Sequence, residues 1–231
     1  MIMDNTAIIP VPKLEEDSYD WYVRHAEILR IKGQIDPEIV MIGDSITHFW
    51  GGEPDDPTKH GENSWPETFG DIPVLNMGFG WDRTQNVLWR LENGEFDGLH
   101  PKSIVLNIGT NNLTGTENAR ENTPEEICEG IVTICYKLYS MSPESNIIVM
   151  GIFPRGESFD DPFRKSISAV NTLLAENFML IPNVTVLDIG ESFLESDGNL
   201  SPEIMFDFVH LTPAGYAVWA KALVDAGVIS G

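Results

Sequence analysis

The chain has 231 residues, 42% of them hydrophobic, and carries 14 Lys and Arg against 36 Asp and Glu, a formal net charge of −22. A chain of this length buries a sizeable core without disulfide or metal support. A field of this sign repels phosphate backbones and anionic headgroups, so neither nucleic acid nor a membrane surface is expected as a partner. No Pro/Gly/Ser-rich tract or charge block divides the sequence, which predicts a single domain over residues 1–231 with a helical extension over about residues 1–35. No basic segment followed by an apolar core opens the chain, and the longest apolar stretch, Ile147 to Phe153, is far short of the ~18 residues that span a bilayer. The expected location is therefore the cytoplasm.

Read in chain order, an N-terminal helix carrying Tyr22, Ala26 and Leu29 precedes the first of five short apolar runs. These runs are Glu38–Ile42, Val74–Met77, Ser103–Ile108, Asn146–Ile152 and Val184–Ile189. Their lack of polar alternation fits parallel strands buried on both faces. Between the third and fourth runs, Ile127, Ile131, Ile134 and Leu138 form one apolar stripe, opened by the capping-box signal Thr123-Pro124-Glu125-Glu126. Cys128 and Cys135 fall within that helix, ~10.5 Å apart by helical rise. That is beyond the reach of a disulfide, so both are read as packing thiols. A last helix begins at Thr212-Pro213 and carries Tyr216, Trp219, Ala220 and Leu223 on one side. Alternating strands and helices predict an α/β fold, a three-layer α/β/α sandwich around a five-stranded parallel sheet.

Ligands of such sheets bind outside the carboxyl ends of the strands, and there the sequence is chemically loaded. The first run leads into Gly43-Asp44-Ser45-Ile46-Thr47, the second into Gly78-Phe79-Gly80-Trp81-Asp82 and the third into Gly109-Thr110-Asn111-Asn112. A serine hydroxyl arriving beside a glycine N–H and an asparagine amide supplies what acyl transfer needs: a nucleophile, and donors for the oxyanion of the tetrahedral intermediate. Asp207-Phe208-Val209-His210 places a carboxylate three residues before an imidazole, within one loop turn. The reading is a triad of Ser45, His210 and Asp207, with Ser45 N–H, Gly78 N–H and Asn111 as oxyanion donors. His48, three residues after Ser45, is the rival base but lacks a carboxylate at short spacing. Asp44, Ile46, Trp81 and Val209 are the substrate-binding candidates.

Competing chemistries lack their residues. Arg83 replaces the third glycine of a dinucleotide fingerprint, no phosphate loop or HExxH helix is present, and the histidines are scattered. No metal or cofactor is expected. The doublets Asp55-Asp56 and Asp160-Asp161 read as solvated loop carboxylates.

The four blocks Gly43-Asp44-Ser45-Ile46, Asn76-x-Gly78, Gly109-Thr110-Asn111-Asn112 and Asp207-x-x-His210 resemble those of the SGNH (GDSL-type) hydrolases. Val87-Leu88-Trp89-Arg90-Leu91, Asn93-Gly94-Glu95, Pro154-Arg155-Gly156-Glu157 and Met205-Phe206-Asp207-Phe208 extend the likeness towards the platelet-activating-factor acetylhydrolase catalytic subunits. The resemblance implies the flavodoxin-like fold of that family, the triad and donor roles assigned above, and a homodimer. Two departures stand out. Trp81 occupies a place where the relatives usually have a second glycine, and the stretch from Trp50 to Trp65 is an acidic insertion, expected to wall the alcohol side of the cleft.

The sequence therefore predicts a serine esterase acting on a small-molecule acetyl ester. Its alcohol half is read as a carbohydrate, on which Trp50, Trp65 and Trp81 would stack. The alternatives are a phospholipid acetylhydrolase or lysophospholipase, and a non-catalytic binding subunit on the same fold.

Overall fold

The computed structural model describes residues 4–61, 63–178 and 181–229. Five strands, β1 (Ile39–Gly43), β2 (Val74–Gly78), β3 (Ser103–Asn107), β4 (Asn146–Met150) and β5 (Val184–Leu187), form one sheet in the order β2-β1-β3-β4-β5. Every pairing is parallel. The helices are α1 (Trp21–Ile35), α2 (Ser45–His48), α3 (Ser64–Phe69), α4 (Thr84–Glu92), α5 (Pro124–Met141), α6 (Pro162–Asn177) and α7 (Pro213–Asp225).

Successive strand residues point to opposite faces, and here both faces are apolar. Val40, Ile42, Leu75, Met77, Ile104, Leu106, Ile147 and Val149 pack against α1, α4, α5 and α6. Ile39, Met41, Val74, Val105, Ile148 and Met150 pack against α3 and α7. These two cores make three layers, and they explain why the strands read as unbroken apolar runs. The exception is β5, an edge strand that is mostly half-exposed, because it has a neighbour on one side only.

Register decides where the loaded segments meet. Gly43, the last residue of β1, lies level with Gly78 of β2 and Asn107 of β3. The chain thus leaves all three strands at one height, on either side of the β1–β3 junction where the strand order reverses. A Cβ at Gly43 would lie 2.2 Å from Thr47 Oγ1 and 2.4 Å from the Asn107 carbonyl. Only glycine lets the first turn of α2 fold back so tightly over the strand end.

The N-terminal helix differs from the expected stripe. Tyr22 and Leu29 are exposed, and the buried face is Trp21, Arg24, Ile28 and Ile31. Arg24 turns inward because three carbonyls at the end of β2 and in the following layer want donors: Gly78 O at 2.8 Å, Asn76 O at 3.1 Å and Pro54 O at 3.3 Å. Beside it runs a buried charge cluster. Arg90 Nε donates to Asp82 at 2.8 Å and Arg90 Nη1 to Glu95 at 2.7 Å, with Trp21 Nε1 on the other Asp82 oxygen at 2.8 Å.

Helix α5 starts as its sequence predicts. Glu126 N–H donates to Thr123 Oγ1 at 3.3 Å, and Thr123 N–H donates back to the Glu126 carboxylate at 3.1 Å. The Arg120 hydrogen bond, with those of Asn122 and Thr123, pulls the Glu126 carboxyl down to about 2. Because its folded value is depressed, this carboxylate stabilises the fold above the ordinary value of 4.5 and loses that contribution as pH falls towards about 2. Glu126→Gln should therefore cost about 1–3 kcal/mol at neutral pH. In denaturant titrations the gap between variant and parent should close as the pH is lowered through that window.

Candidate active site

Ser45 is the first residue of α2, and its N–H therefore has no helical acceptor. Asp44 caps this short helix, its Oδ1 accepting from Ile46 N–H at 2.9 Å. Burial pushes the Asp44 carboxyl up to about 7. Asp207 and His210 stand in a tight reversal between Met205 and Leu211, which pair as an antiparallel bridge. Phe208 sits inside it at φ 61°, and Thr212 caps α7 directly afterwards.

This reversal brings the imidazole to the serine. His210 Nε2 lies 2.8 Å from Ser45 Oγ, and His210 Nδ1 lies 2.7 Å from Asp207 Oδ2. Partial burial alone would raise the Asp207 carboxyl. The N–H groups of His210 and Val209, at 2.8 and 3.0 Å, and the imidazole itself hold it below its ordinary range instead.

Asn111 opens a 3₁₀ turn after β3 and lines the same cavity, of about 190 Å³, as Ser45 and His210. Its Nδ2 donates to the Asp82 carbonyl at 3.0 Å, which orients the amide and leaves the second N–H without an acceptor among the described residues. Its neighbour Asn112 is fully buried and bonds to Thr84, Gln85 and Asn122, so it ties loops together.

Gly78 does not bring its N–H to the cavity. That N–H donates to Asn76 Oδ1 at 2.8 Å, and a Cβ on Gly78 would lie 2.3 Å from the His48 nitrogen. The glycine is needed for the close approach of α2. Along the following turn, Phe79 N–H donates to Gly43 O, Gly80 N–H to His48 Nδ1 and Asp82 N–H to Phe79 O. Trp81 N–H is the one left without an acceptor among the described residues, and Trp81 lines the cavity. Trp81 holds φ 63°, in the left-handed region, at the turn position where glycine is usual. The free backbone donor is therefore Trp81 N–H, displaced three residues from the sequence expectation.

Of the expected substrate-binding residues, Trp81 and Val209 line the cavity. Asp44 and Ile46 do not: Asp44 is fully buried behind the serine, and Ile46 packs in the core beneath α7. Phe49, Thr114, Arg155 and Asp17 also line the cavity and were not foreseen. Arg155 follows β4 on the same sheet edge, so extending the strand-end logic to a fourth strand would have found it. Asp17 precedes α1 and carries no comparable signal.

His48 is engaged away from the serine. A backbone N–H can only donate, so Gly80 N–H at 3.3 Å fixes Nδ1 as acceptor, and Nε2–H donates to Asp56 Oδ2 at 3.1 Å. Burial lowers the imidazole to about 4, keeping it neutral despite the opposing Asp56 bond. Asp56 comes from the 50–65 insertion, no described residue of which lines the cavity. The insertion braces the site from behind. Trp50 is fully buried against Tyr216 and Trp219, Trp65 is half-buried on Trp50 and Phe69, and neither lines the cavity. Asp161, of the second doublet, caps α6 through Phe163 N–H at 2.9 Å. A larger cavity of about 690 Å³, between α6 and β5, contains none of the triad.

Comparison with known proteins gives the family of the chain. Residues 41–218 match the GDSL-like Lipase/Acylhydrolase family. The chain is 37% identical over 220 residues to the platelet-activating factor acetylhydrolase IB subunit alpha2 of Rattus norvegicus, covering 95% of this chain and 89% of that one. To the alpha1 subunit of the same animal it is 33% identical over 214 residues, covering 93% and 84%. A putative acylhydrolase from Bacteroides fragilis superposes with a TM-score of 0.63 at 22% identity, over 90% of this chain and 97% of the other. An acetyl-xylooligosaccharide esterase from Geobacillus Stearmophilus gives 0.63 at 17%, over 84% and 96%. Among the described residues no helix is long and apolar enough to cross a membrane. The chain belongs to the GDSL-like lipase/acylhydrolase family and is an ester hydrolase.

Proposed function

We propose that this hydrolase removes acetyl groups through an acyl-enzyme on Ser45. Ser45 Oγ attacks the ester carbonyl while His210 Nε2 takes its proton, and Asp207 holds the imidazole and its developing charge. Trp81 N–H, Ser45 N–H and Asn111 Nδ2 receive the oxyanion. The proton on His210 passes to the departing alcohol. Water then adds to the acyl carbon, giving up a proton to the same nitrogen, and acetate leaves as Ser45 regains its hydrogen. The observation that carries this reading is the unbroken chain from Asp207 through His210 to Ser45, at 2.7 and 2.8 Å.

The acetyl preference rests on size. The cavity of about 190 Å³ is small beside typical ligand pockets of roughly 300–1,000 Å³, and the Trp81 indole borders it where glycine would leave room. The alcohol half is read as a carbohydrate because Trp81 is 39% exposed at the cavity and offers a stacking plane. With Trp50 buried and Trp65 packed away from the cavity, Trp81 alone supports that reading. A phospholipid acetylhydrolase is the second reading, favoured by the name of relatives at 37% identity. Comparing turnover of acetylated xylo-oligosaccharides with acetyl-glycerophospholipids decides between them, and preference for the lipid would overturn the carbohydrate assignment.

On a chromogenic acetate, Ser45→Ala should lower kcat by on the order of 10⁴-fold, since only binding and the oxyanion donors would remain. Retention of half the activity would remove Ser45 as nucleophile. Trp81→Gly keeps the backbone donor and opens the cavity, so the ratio of kcat/KM for butyrate over acetate esters should rise about tenfold or more. An unchanged ratio would show that the indole does not border the acyl group. His48→Phe keeps the ring but removes the acceptor for Gly80 N–H; kcat should fall about 10- to 100-fold with KM little altered, as expected when a donor turn loses its positioning.

A further inference from the structure

In a chain with 36 carboxylates, most basic side chains at the surface find an acidic partner: Lys13 with Glu16, Arg30 with Glu27, Lys59 with Asp55, Lys102 with Glu38, Arg120 with Glu126 and Lys221 with Asp225. Arg155 does not, and among the described residues it is the only lysine or arginine that lines the cavity holding Ser45 and His210. Among the described residues no carboxylate oxygen lies within 4.0 Å of its guanidinium. Its Nη1 donates to the Thr110 carbonyl at 3.3 Å and to Thr114 Oγ1 at 3.1 Å, while Nε and Nη2 make no hydrogen bond within the described residues. The Phe163 ring, with its centroid 4.0 Å from Cζ, holds the guanidinium plane.

This is a positioned cation with donors to spare. Planar guanidinium groups held by stacking bind carboxylate or phosphate through paired N–H donors with little further loss of freedom. Asp44, Asp161 and Asp207 act on Arg155 only from beyond hydrogen-bonding range. Asp17, the one carboxylate lining the cavity, accepts from Ser18 N–H at 2.6 Å. The net charge of −22 opposes the approach of an anion, which makes a cation left free at the reacting centre a local exception with a specific use.

We propose that Arg155 binds an anionic group, carboxylate or phosphate, carried by the alcohol half of the substrate. The inference rests on the acetyl reading above, because an acetyl group has no charge to offer and the anion must then belong to the alcohol.

The test compares Arg155→Gln and Arg155→Lys with the parent enzyme on matched acetate esters. These are 4-acetoxybenzoate against its neutral methyl ester, and 4-acetoxyphenyl phosphate against neutral 4-acetoxyanisole. Each ester is compared with itself across variants, so differences in leaving-group reactivity cancel. Arg155→Gln should lower kcat/KM on the charged esters at least tenfold more than on their neutral counterparts. Arg155→Lys should recover part of the difference, and the larger effect of the two pairs names the anion. An equal loss on all four esters would make Arg155 a brace for the Thr110–Thr114 loop and overturn the proposal, as would no loss on any. Calorimetric binding of 4-acetoxybenzoate to Ser45→Ala, with and without Arg155→Gln, separates the two readings. Arg155-dependent binding without turnover by the parent would sink the esterase mechanism and leave the anion site standing. Turnover indifferent to Arg155 would do the reverse.

Discussion

One buried amide sets the geometry on which the site depends. Asn76 is fully buried, its Nδ2 donates to the Thr47 carbonyl at 2.8 Å and the Gly51 carbonyl at 2.7 Å, and its Oδ1 accepts from Gly78 N–H at 2.8 Å. The first two bonds tie the end of β2 to the helix that starts with Ser45. The third consumes the N–H of Gly78. Leaving any of these groups unpaired in a dry interior would cost roughly 1–3 kcal/mol each. The amide therefore fixes two things together: how near the donor turn comes to the nucleophile, and which N–H in that turn stays free. The donor moves on to Trp81 because the earlier N–H groups of the turn are already satisfied.

Most of the architecture was legible because it follows from periodicity. Five apolar runs without polar alternation mean two-sided burial. The Thr123 box and the Thr212-Pro213 start were legible because a helix N-terminus depends on local donors and acceptors. The buried face of α1 was not, since its inward residue is an arginine whose partners are main-chain carbonyls on another element, and hydrophobic patterning cannot reveal those. The same limit applies at the site. The blocks carrying Ser45, Asn111, Asp207 and His210 are recognisable as residue types at strand ends, but the choice between Gly78 and Trp81 as donor is a matter of hydrogen-bond bookkeeping. It depends on Asn76 Oδ1 and His48 Nδ1 already acting as acceptors, and no local sequence pattern encodes those partners.

The 50–65 insertion lies away from the cavity it was expected to wall. Its acidity and its tryptophans suggested a wall open to ligand. In the fold the tryptophans complete an aromatic core with Phe69, Tyr216 and Trp219, and one of the acidic residues, Asp56, reaches His48. His48 does not compete for the serine, because both of its ring nitrogens are already engaged, Nδ1 by Gly80 N–H and Nε2 by Asp56. The segment that looked like substrate contact supports the backbone of the contact instead.

That support accounts for a tryptophan at a left-handed position. A bulky residue held there costs of order 1–3 kcal/mol and persists only where its surroundings over-determine it. The turn is pinned on three sides: Arg24 on the Gly78 carbonyl at 2.8 Å, His48 on Gly80 N–H, and Asp82 locked between Arg90 and Trp21. Burial pushes the Asp82 carboxyl up to about 6 while Arg90 and Trp21 oppose it, so the cluster is held by mutual pairing and removing either partner would strand a buried charge. A turn fixed this firmly cannot relax its φ by rotating the Trp81 peptide, and its N–H stays without an acceptor among the described residues. An oxyanion donor that needs no reorganisation during the reaction stabilises charge more effectively than one that must first turn. In the mechanism proposed above, the strain at Trp81 and the readiness of its donor are thus two consequences of the same three anchors.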